Sequence, residues 1–345
     1  MSIRVRRFGA QAAATMIATG VMLGLAFTPA PAQEKFTLGY STGFLQDPFQ
    51  VIQADKVISE AKAAGLKTLP VANAANDPGK QIVDFHNLIS EGAQGIIMVA
   101  RDSDAIVPAL NFAESKHVPV VAIDMGPASG KAVMVVRADN IRMGADACAL
   151  TGKALGGKGV VLSLMGDQAT LNGRDRTTGF AECMKKDFPG IRVIQQPTYW
   201  QAEKATAIAQ TIVTSTRDLG AIYMQSDAVM LPGVLNVLKS AGKLKKVGEP
   251  GHIFLVSIDG TPFAHEKIRE GYLDAAVSQP LNLYVKWGLY YLEGAKAGKT
   301  FAAGPTDHDS RVVMFNGNPM DMLPAPVVTK ANVDDPSLWA NSVKH

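Results

Sequence analysis

Residues 95–124 read GIIMVARDSDAIVPALNFAESKHVPVVAID, and this stretch decides the fold. Residues 95–99 and 118–123 are short, almost wholly apolar runs, and 104–116 between them carry apolar residues at helical spacing. Apolar runs without alternation predict strands buried on both faces, as in a parallel sheet covered by helices. Pro119 is compatible with this because it stands at a strand start. Strand, helix and strand in this order form a βαβ unit with a right-handed crossover.

The same alternation extends in both directions. Upstream, the sequence predicts strands at 36–40 and 66–71 and helices at 48–64 and 78–91. Downstream, a short strand at 133–140 ends the first run, and a second begins. Its expected helices are 141–155, 174–187, 201–216, 228–241, 261–270 and 281–297. Its expected strands are 160–165, 191–195, 221–224, 253–258 and 274–278. Two such runs predict an α/β protein with two open parallel-sheet lobes joined by a hinge. Residues 33–138 with about 280–298 are expected to form the amino-terminal lobe, and 139–279 the carboxy-terminal lobe. Residues 299–345 form a tail that the pattern assigns to neither.

Composition narrows the class. A chain of 345 residues suggests two domains. With 47% hydrophobic and 19% charged residues it is not a disordered chain. The formal net charge of +3 comes from Arg4, Arg6 and Arg7 in a leader without acids, so the rest is neutral. A neutral body lacks the basic footprint of a nucleic-acid binder. Residues 1–7 are a basic n-region, 8–27 are uncharged and apolar, and Ala30-Pro31-Ala32 fits a cleavage site. This predicts a secretory signal peptide cleaved after about Ala32 and a periplasmic mature protein. Cys148 and Cys183 sit in predicted helices flanking one strand. An oxidising compartment permits a disulfide, and two buried thiols fit the spacing equally.

In open α/β sheets, ligands bind beyond the carboxyl ends of strands. The residues there are Asp47 and Phe49, Asp124, Arg176, Trp200, Ser226, Asp259 and Gln279. Carboxylates and amides accept hydrogen bonds from hydroxyls, and Arg donates from a fixed fork. Aromatic faces cover the C–H side of a carbohydrate. Charge-assisted hydrogen bonds contribute roughly 1.5–3 kcal/mol each, so a few in a closed cleft support tight binding of a sugar.

The ordered motifs carry a resemblance. They are Tyr40-Ser41-Thr42, Asp47-Pro48-Phe49, residues 118–124, Asp139-Asn140 and Arg176-Thr177-Thr178-Gly179-Phe180. Gln225-Ser226-Asp227-Ala228, Ile258-Asp259-Gly260-Thr261-Pro262 and Ser278-Gln279-Pro280 follow. Over about residues 36–297 the chain resembles the ribose-type periplasmic sugar-binding proteins of ABC importers, of the type I periplasmic binding protein family. The resemblance implies a monomer without catalysis, cofactor or metal, whose lobes close on a ligand. It implies ligand contacts from Asp47, Phe49, Gln50 and Asp124 in one lobe and from Arg176, Trp200, Ser226 and Asp259 in the other. Gln279 lies near the return crossover. The implied partners are a small neutral sugar or polyol and an ABC permease. The alternative partner of the liganded protein is a chemoreceptor or membrane kinase.

Several positions depart from the family pattern. Asp47 stands where Asn is usual, Gln50 where a second aromatic is frequent, Met125 where Arg often follows the carboxylate, and Ser226 where Asn is common. These changes predict a ligand other than ribose, such as another monosaccharide or an open-chain polyol, without negative charge.

Duller roles compete with each assignment. Asp47, Asp124, Ser226 and Asp259 could cap the helices that follow them. Phe49 and Trp200 could be packing residues, and Gln279 could serve the hinge, as Asp139 and Asn140 do. Other motifs carry little. Gly294-x-x-x-Gly298-Lys299-Thr300 is one residue short of a phosphate loop. Asp307-His308-Asp309 has no second His cluster. Gly39-Tyr40-Ser41-Thr42-Gly43 matches an esterase elbow, but the helix starts too late for one.

Overall fold

The first lobe is punctuated by residues that cap its helices. In the computed structural model, which describes residues 35–343, β1 (Thr37–Thr42) leads to α1 (Pro48–Ala63). Asp47 caps α1 by accepting from Phe49 N at 2.9 Å, and Pro48 opens it. Next come β2 (Lys67–Thr68), β3 (Ala72–Asn73) and α2 (Pro78–Ser90), capped by Asp77. Then β4 (Gly95–Met98), α3 (Val107–Ser115), β5 (Val120–Ile123) and β6 (Met134–Ala138) complete the run. The leader at 1–32 lies outside the described residues.

The second lobe repeats the scheme. It contains α4 (Asn140–Ala154), β7 (Gly159–Met165), α5 (Leu171–Asp187), β8 (Ile191–Pro197) and α6 (Ala202–Ser215). It continues with β9 (Leu219–Met224), α7 (Asp227–Ser240), β10 (Phe254–Asp259), α8 (Pro262–Glu270) and β11 (Ala275–Ser278). The chain then returns as α9 (Leu281–Lys296), which packs on β4, β5, β6 and α1 of the first lobe.

The tail is shared between the sheets. After β12 (Gly304–Pro305) and β13 (Arg311–Phe315), β14 (Asn318–Leu323) pairs in parallel with β6. β15 (Val327–Val328) then pairs antiparallel with β11 in the other sheet, and a 3₁₀ turn (Trp339–Ser342) packs by α8. The first sheet has the order β12-β13-β14-β6-β5-β4-β1-β2, with β3 also beside β1; the second is β15-β11-β10-β9-β7-β8. Both are parallel except at the tail-built edges, so the chain passes between lobes three times, at 138–140, 278–281 and 323–327.

Three sequence-based boundaries are corrected. The strand expected at 66–71 is two short pieces, because Pro70 has no N–H for the ladder. The helix expected from 104 starts at Val107, because Asp102 holds the N–H groups of Asp104 and Ala105 in a turn. α5 starts at Leu171 instead of Arg174, because Thr170 accepts from Gly173 N at 3.1 Å and caps it. α4 and α5 approach so closely that a Cβ on Gly179 would lie 1.9 Å from Ile141 O. The Cys148–Cys183 disulfide clamps the two helices, with Cα atoms 6.1 Å apart, which answers the question the cysteine spacing left open.

Candidate ligand-binding site

The carboxyl ends of the two sheets face each other across one cavity. It is lined by Phe44, Asp47, Phe49, Gln50, Asp124 and Met125 from the first lobe, and by Asn172, Arg176, Trp200, Ser226 and Asp259 from the second. Gln279, at the crossover, completes it. All nine residues singled out in the sequence are therefore brought together. Every lining residue is at least nine-tenths buried. The open space is about 20 Å³, room for one water. A sugar-sized molecule enters such a site only if the lobes part.

The two central carboxylates end strands in unusual backbone conformations. Asp124 has φ +60° and Asp259 has φ +107°, a region costly for residues with a Cβ. Neither caps the helix that comes after it in the chain: no helix directly follows Asp124, and Thr261 caps α8. Asp124 accepts from Gln50 Nε2 at 2.9 Å and, across the lobes, from Asn172 Nδ2 at 2.8 Å. Asp259 accepts from Ser226 Oγ at 2.6 Å and Gln279 Nε2 at 2.8 Å. The loop after Asp259 is pinned by Asp227, which accepts from Gly260 N, Thr261 N and Thr261 Oγ1.

Arg176 is the central cation. Its Nε donates to Asn140 Oδ1 at 2.7 Å and its Nη1 to Gln225 O at 2.6 Å, while Nη1 stands 3.8 Å from Asp259 Oδ1. Its Nη2 is buried without a partner among the described residues, as is Trp200 Nε1. Both unpaired donors belong to cavity-lining side chains. Trp200 follows Tyr199 in a left-handed turn and lies across Gly166, where a Cβ would fall 1.9 Å from its ring.

Three carboxylates thus share a site with one guanidinium. Burial pushes Asp124 up to about 6, against the opposing pull of Arg176. Burial, reinforced by the charge of Asp259, holds Asp47 well above the usual carboxylate range. Burial also raises Asp259, with Arg176 opposing.

Asp47 and Ser226 combine two readings, since each caps a helix and lines the cavity. Gln279 does the same at the hinge: Tyr284 Oη donates to Gln279 Oε1 at 2.8 Å and accepts from Ala138 N at 3.1 Å, tying two crossings together. Gln50 commits its amide to Asp124 and to Thr42 Oγ1. The sequence reading missed Phe44 and Asn172. Phe44 lies in the loop after β1. Asn172 falls in a loop by the sequence pattern, which starts α5 at Arg174, whereas the helix begins at Leu171.

Two of the other motifs make contacts within the fold. Ser41 Oγ accepts from Gln81 Nε2 within the buried end of β1. His308 bonds Asp321 at 2.8 Å and stacks on Trp287 at 3.6 Å between ring centres. Among the described residues no group of three or more His, Cys, Asp or Glu side chains is arranged to hold a metal. No described helix is long and apolar enough to cross a membrane.

Comparison with known proteins bears on the family and the fold. Residues 38–300 match the periplasmic binding protein domain family. A ribose import binding protein of Haemophilus influenzae is 30% identical over 80% of this chain and 90% of its own. A xylitol-binding protein of Mycolicibacterium smegmatis is 26% identical over 82% of this chain and 77% of its own. The solved structure of a Caulobacter myo-inositol binding protein superposes with a TM-score of 0.75. It covers 89% of this chain and 97% of that one at 22% identity, a likeness of fold.

Proposed function

The chain belongs to the periplasmic binding protein domain family, and on that premise we propose that it binds a small neutral monosaccharide or polyol between its lobes in the periplasm and delivers it to an ABC permease. The observation that carries this reading is the narrow, buried cavity between the lobes, where acids at the ends of β5 and β10 meet Arg176, Phe49 and Trp200. Hydroxyls would donate to Asp47, Asp124 and Asp259 and accept from Arg176 Nη2 and Trp200 Nε1. Phe49 and Trp200 would cover the C–H faces. Read this way, the site binds and releases its ligand without chemistry, as the family relationship supports. The relatives named for ribose and xylitol support a polyhydroxylated ligand.

Because all lining residues are buried, binding and release require hinge motion at the crossings. A thermal-shift screen of the mature protein against monosaccharides and polyols tests the reading. A ligand at 100 times its Kd stabilises by about 2.7 kcal/mol. A screen in which no sugar or polyol stabilises the protein, while another compound class does, would overturn it.

A further inference from the structure

Trp339 lies beyond the family match, in the terminal 3₁₀ turn, and is almost fully buried. Its indole Nε1 donates to Asp259 O at 3.0 Å. Its ring meets the Phe49 ring edge-on, 5.5 Å between centres and 89° between planes. Phe49 and Asp259 line the same cavity from opposite lobes. One tail residue therefore stands behind two facing parts of the site.

We propose that Trp339 is a positioning residue, which fixes the strained Asp259 corner and seats the Phe49 ring when the lobes close. The inference rests on the cavity being the ligand site. Asp259 has φ +107°, and among the described residues its carbonyl accepts from Gln279 N at 3.0 Å and from the indole. A backbone in this region persists only when its surroundings over-determine it. Removing the indole donor loosens the corner, leaving the Asp259 carboxylate to Ser226 and Gln279 for its register with Arg176.

The tail is held firmly enough to do this. Val333 and Leu338 are buried in the second lobe's core. Arg269 reaches Asp334 at 2.7 Å and Asn341 at 3.0 Å. β15 pairs with β11, the neighbour of the strand that ends at Asp259.

The test uses Trp339→Phe in the full mature chain, which keeps an aromatic ring towards Phe49 and removes the N–H. Hydrogen exchange of the unliganded protein is read at the Gly260 and Gln279 amides, with Val256 and Ala276 in the strands as controls. The expected result is exchange at least about tenfold faster at the corner, with the strand amides unchanged. Equal rates at the corner overturn the proposal. Calorimetry with xylitol and D-ribose adds the functional arm: affinity for whichever binds should fall about tenfold, and an unchanged affinity overturns the proposal. If the wild-type chain binds neither, the ligand reading is in difficulty while the exchange data still judge Trp339. Should the variant fail to fold, the wild-type Trp339 indole N–H decides by nitrogen-15 NMR: slow exchange supports the restraint, and exchange at solvent rate refutes it.

Discussion

The Arg101 guanidinium of the first lobe meets the Asp167 carboxylate of the second at 2.7 Å, and both side chains are more than nine-tenths buried. Arg101 follows β4 and Asp167 follows β7, so the pair closes the cleft beside the cavity without lining it. Arg137–Asp175 at 2.8 Å and Arg174–Asp104 at 3.2 Å also join the lobes. The closed arrangement is thus held by ion pairs between the lobes themselves.

Asp167→Asn should shift the unliganded protein towards open forms. Losing one partner of a buried charged hydrogen bond costs about 1–3 kcal/mol, and opening relieves it by returning Arg101 to water. The radius of gyration from small-angle scattering should rise, and ligand affinity should fall about ten- to a hundredfold. A variant that scatters and binds like the wild type would show that the pair does not control closure.

Arg176→Ala should abolish binding and also lower stability. The substitution removes the donor Nη2 from the cavity, and strands Asn140 Oδ1 and Gln225 O, which Arg176 now satisfies. Each buried acceptor left without a donor costs about 1–3 kcal/mol. Arg176→Lys should keep the charge but not the fork, and should bind weakly. Calorimetry and urea unfolding check both; full affinity in the alanine variant would remove Arg176 from the site.

Most of the fold was legible in the sequence because apolar runs and helical spacing are local signals. The strand ends then pointed to Asp124 and Asp259 without contact information. What stayed hidden depends on contacts between distant residues. Nothing local tells that β14 adds to β6, or that Trp339 reaches Asp259 from far along the chain. Asn172 was concealed differently: the early cap at Thr170 turns a presumed loop into helix and aims the amide at Asp124. The disulfide required a distance that cysteine spacing does not supply.

Ligand affinity should fall as the medium is acidified. Burial raises Asp124 to about 6, so it ionises late in the closed, unliganded protein. The raised value favours the closed fold at low pH, and that contribution fades as pH rises from the ordinary carboxylate range to about 6. Hydroxyl donors stabilise the ionised form, so binding near pH 6 should release a proton. Calorimetry in buffers of different ionisation enthalpy reads this directly. Affinity independent of pH between 5 and 7 would exclude an Asp124–hydroxyl contact.

Reducing Cys148–Cys183 should lower stability more than it lowers affinity. The bridge closes a loop with a sequence separation of 35, for which chain entropy predicts about 3–4 kcal/mol. It ties α4 to α5 behind Arg176, away from the cavity lining. A Cys148→Ala/Cys183→Ala variant should melt earlier yet bind within a few-fold of the wild type at low temperature. Loss of binding by a folded variant would place the bridge in the positioning of Arg176.

Anionic sugars should be rejected, and Asp47 should be a main reason. Asp47, Asp124 and Asp259 face one Arg176 in a cavity whose lining residues are all at least nine-tenths buried. A phosphate or carboxylate on the ligand would add negative charge where Asp47, among the described residues, accepts one hydrogen bond, from Phe49 N. Uncompensated buried charge is costly, so sugar phosphates and sugar acids should bind at least about a hundredfold more weakly than the neutral parent. Asp47→Asn removes a potential negative charge and adds a donor. That variant should narrow the discrimination while keeping affinity for the neutral ligand. Competition calorimetry with a neutral sugar and its phosphate, in wild type and variant, measures both effects. Tight binding of the phosphate by the wild type would contradict this account of the site.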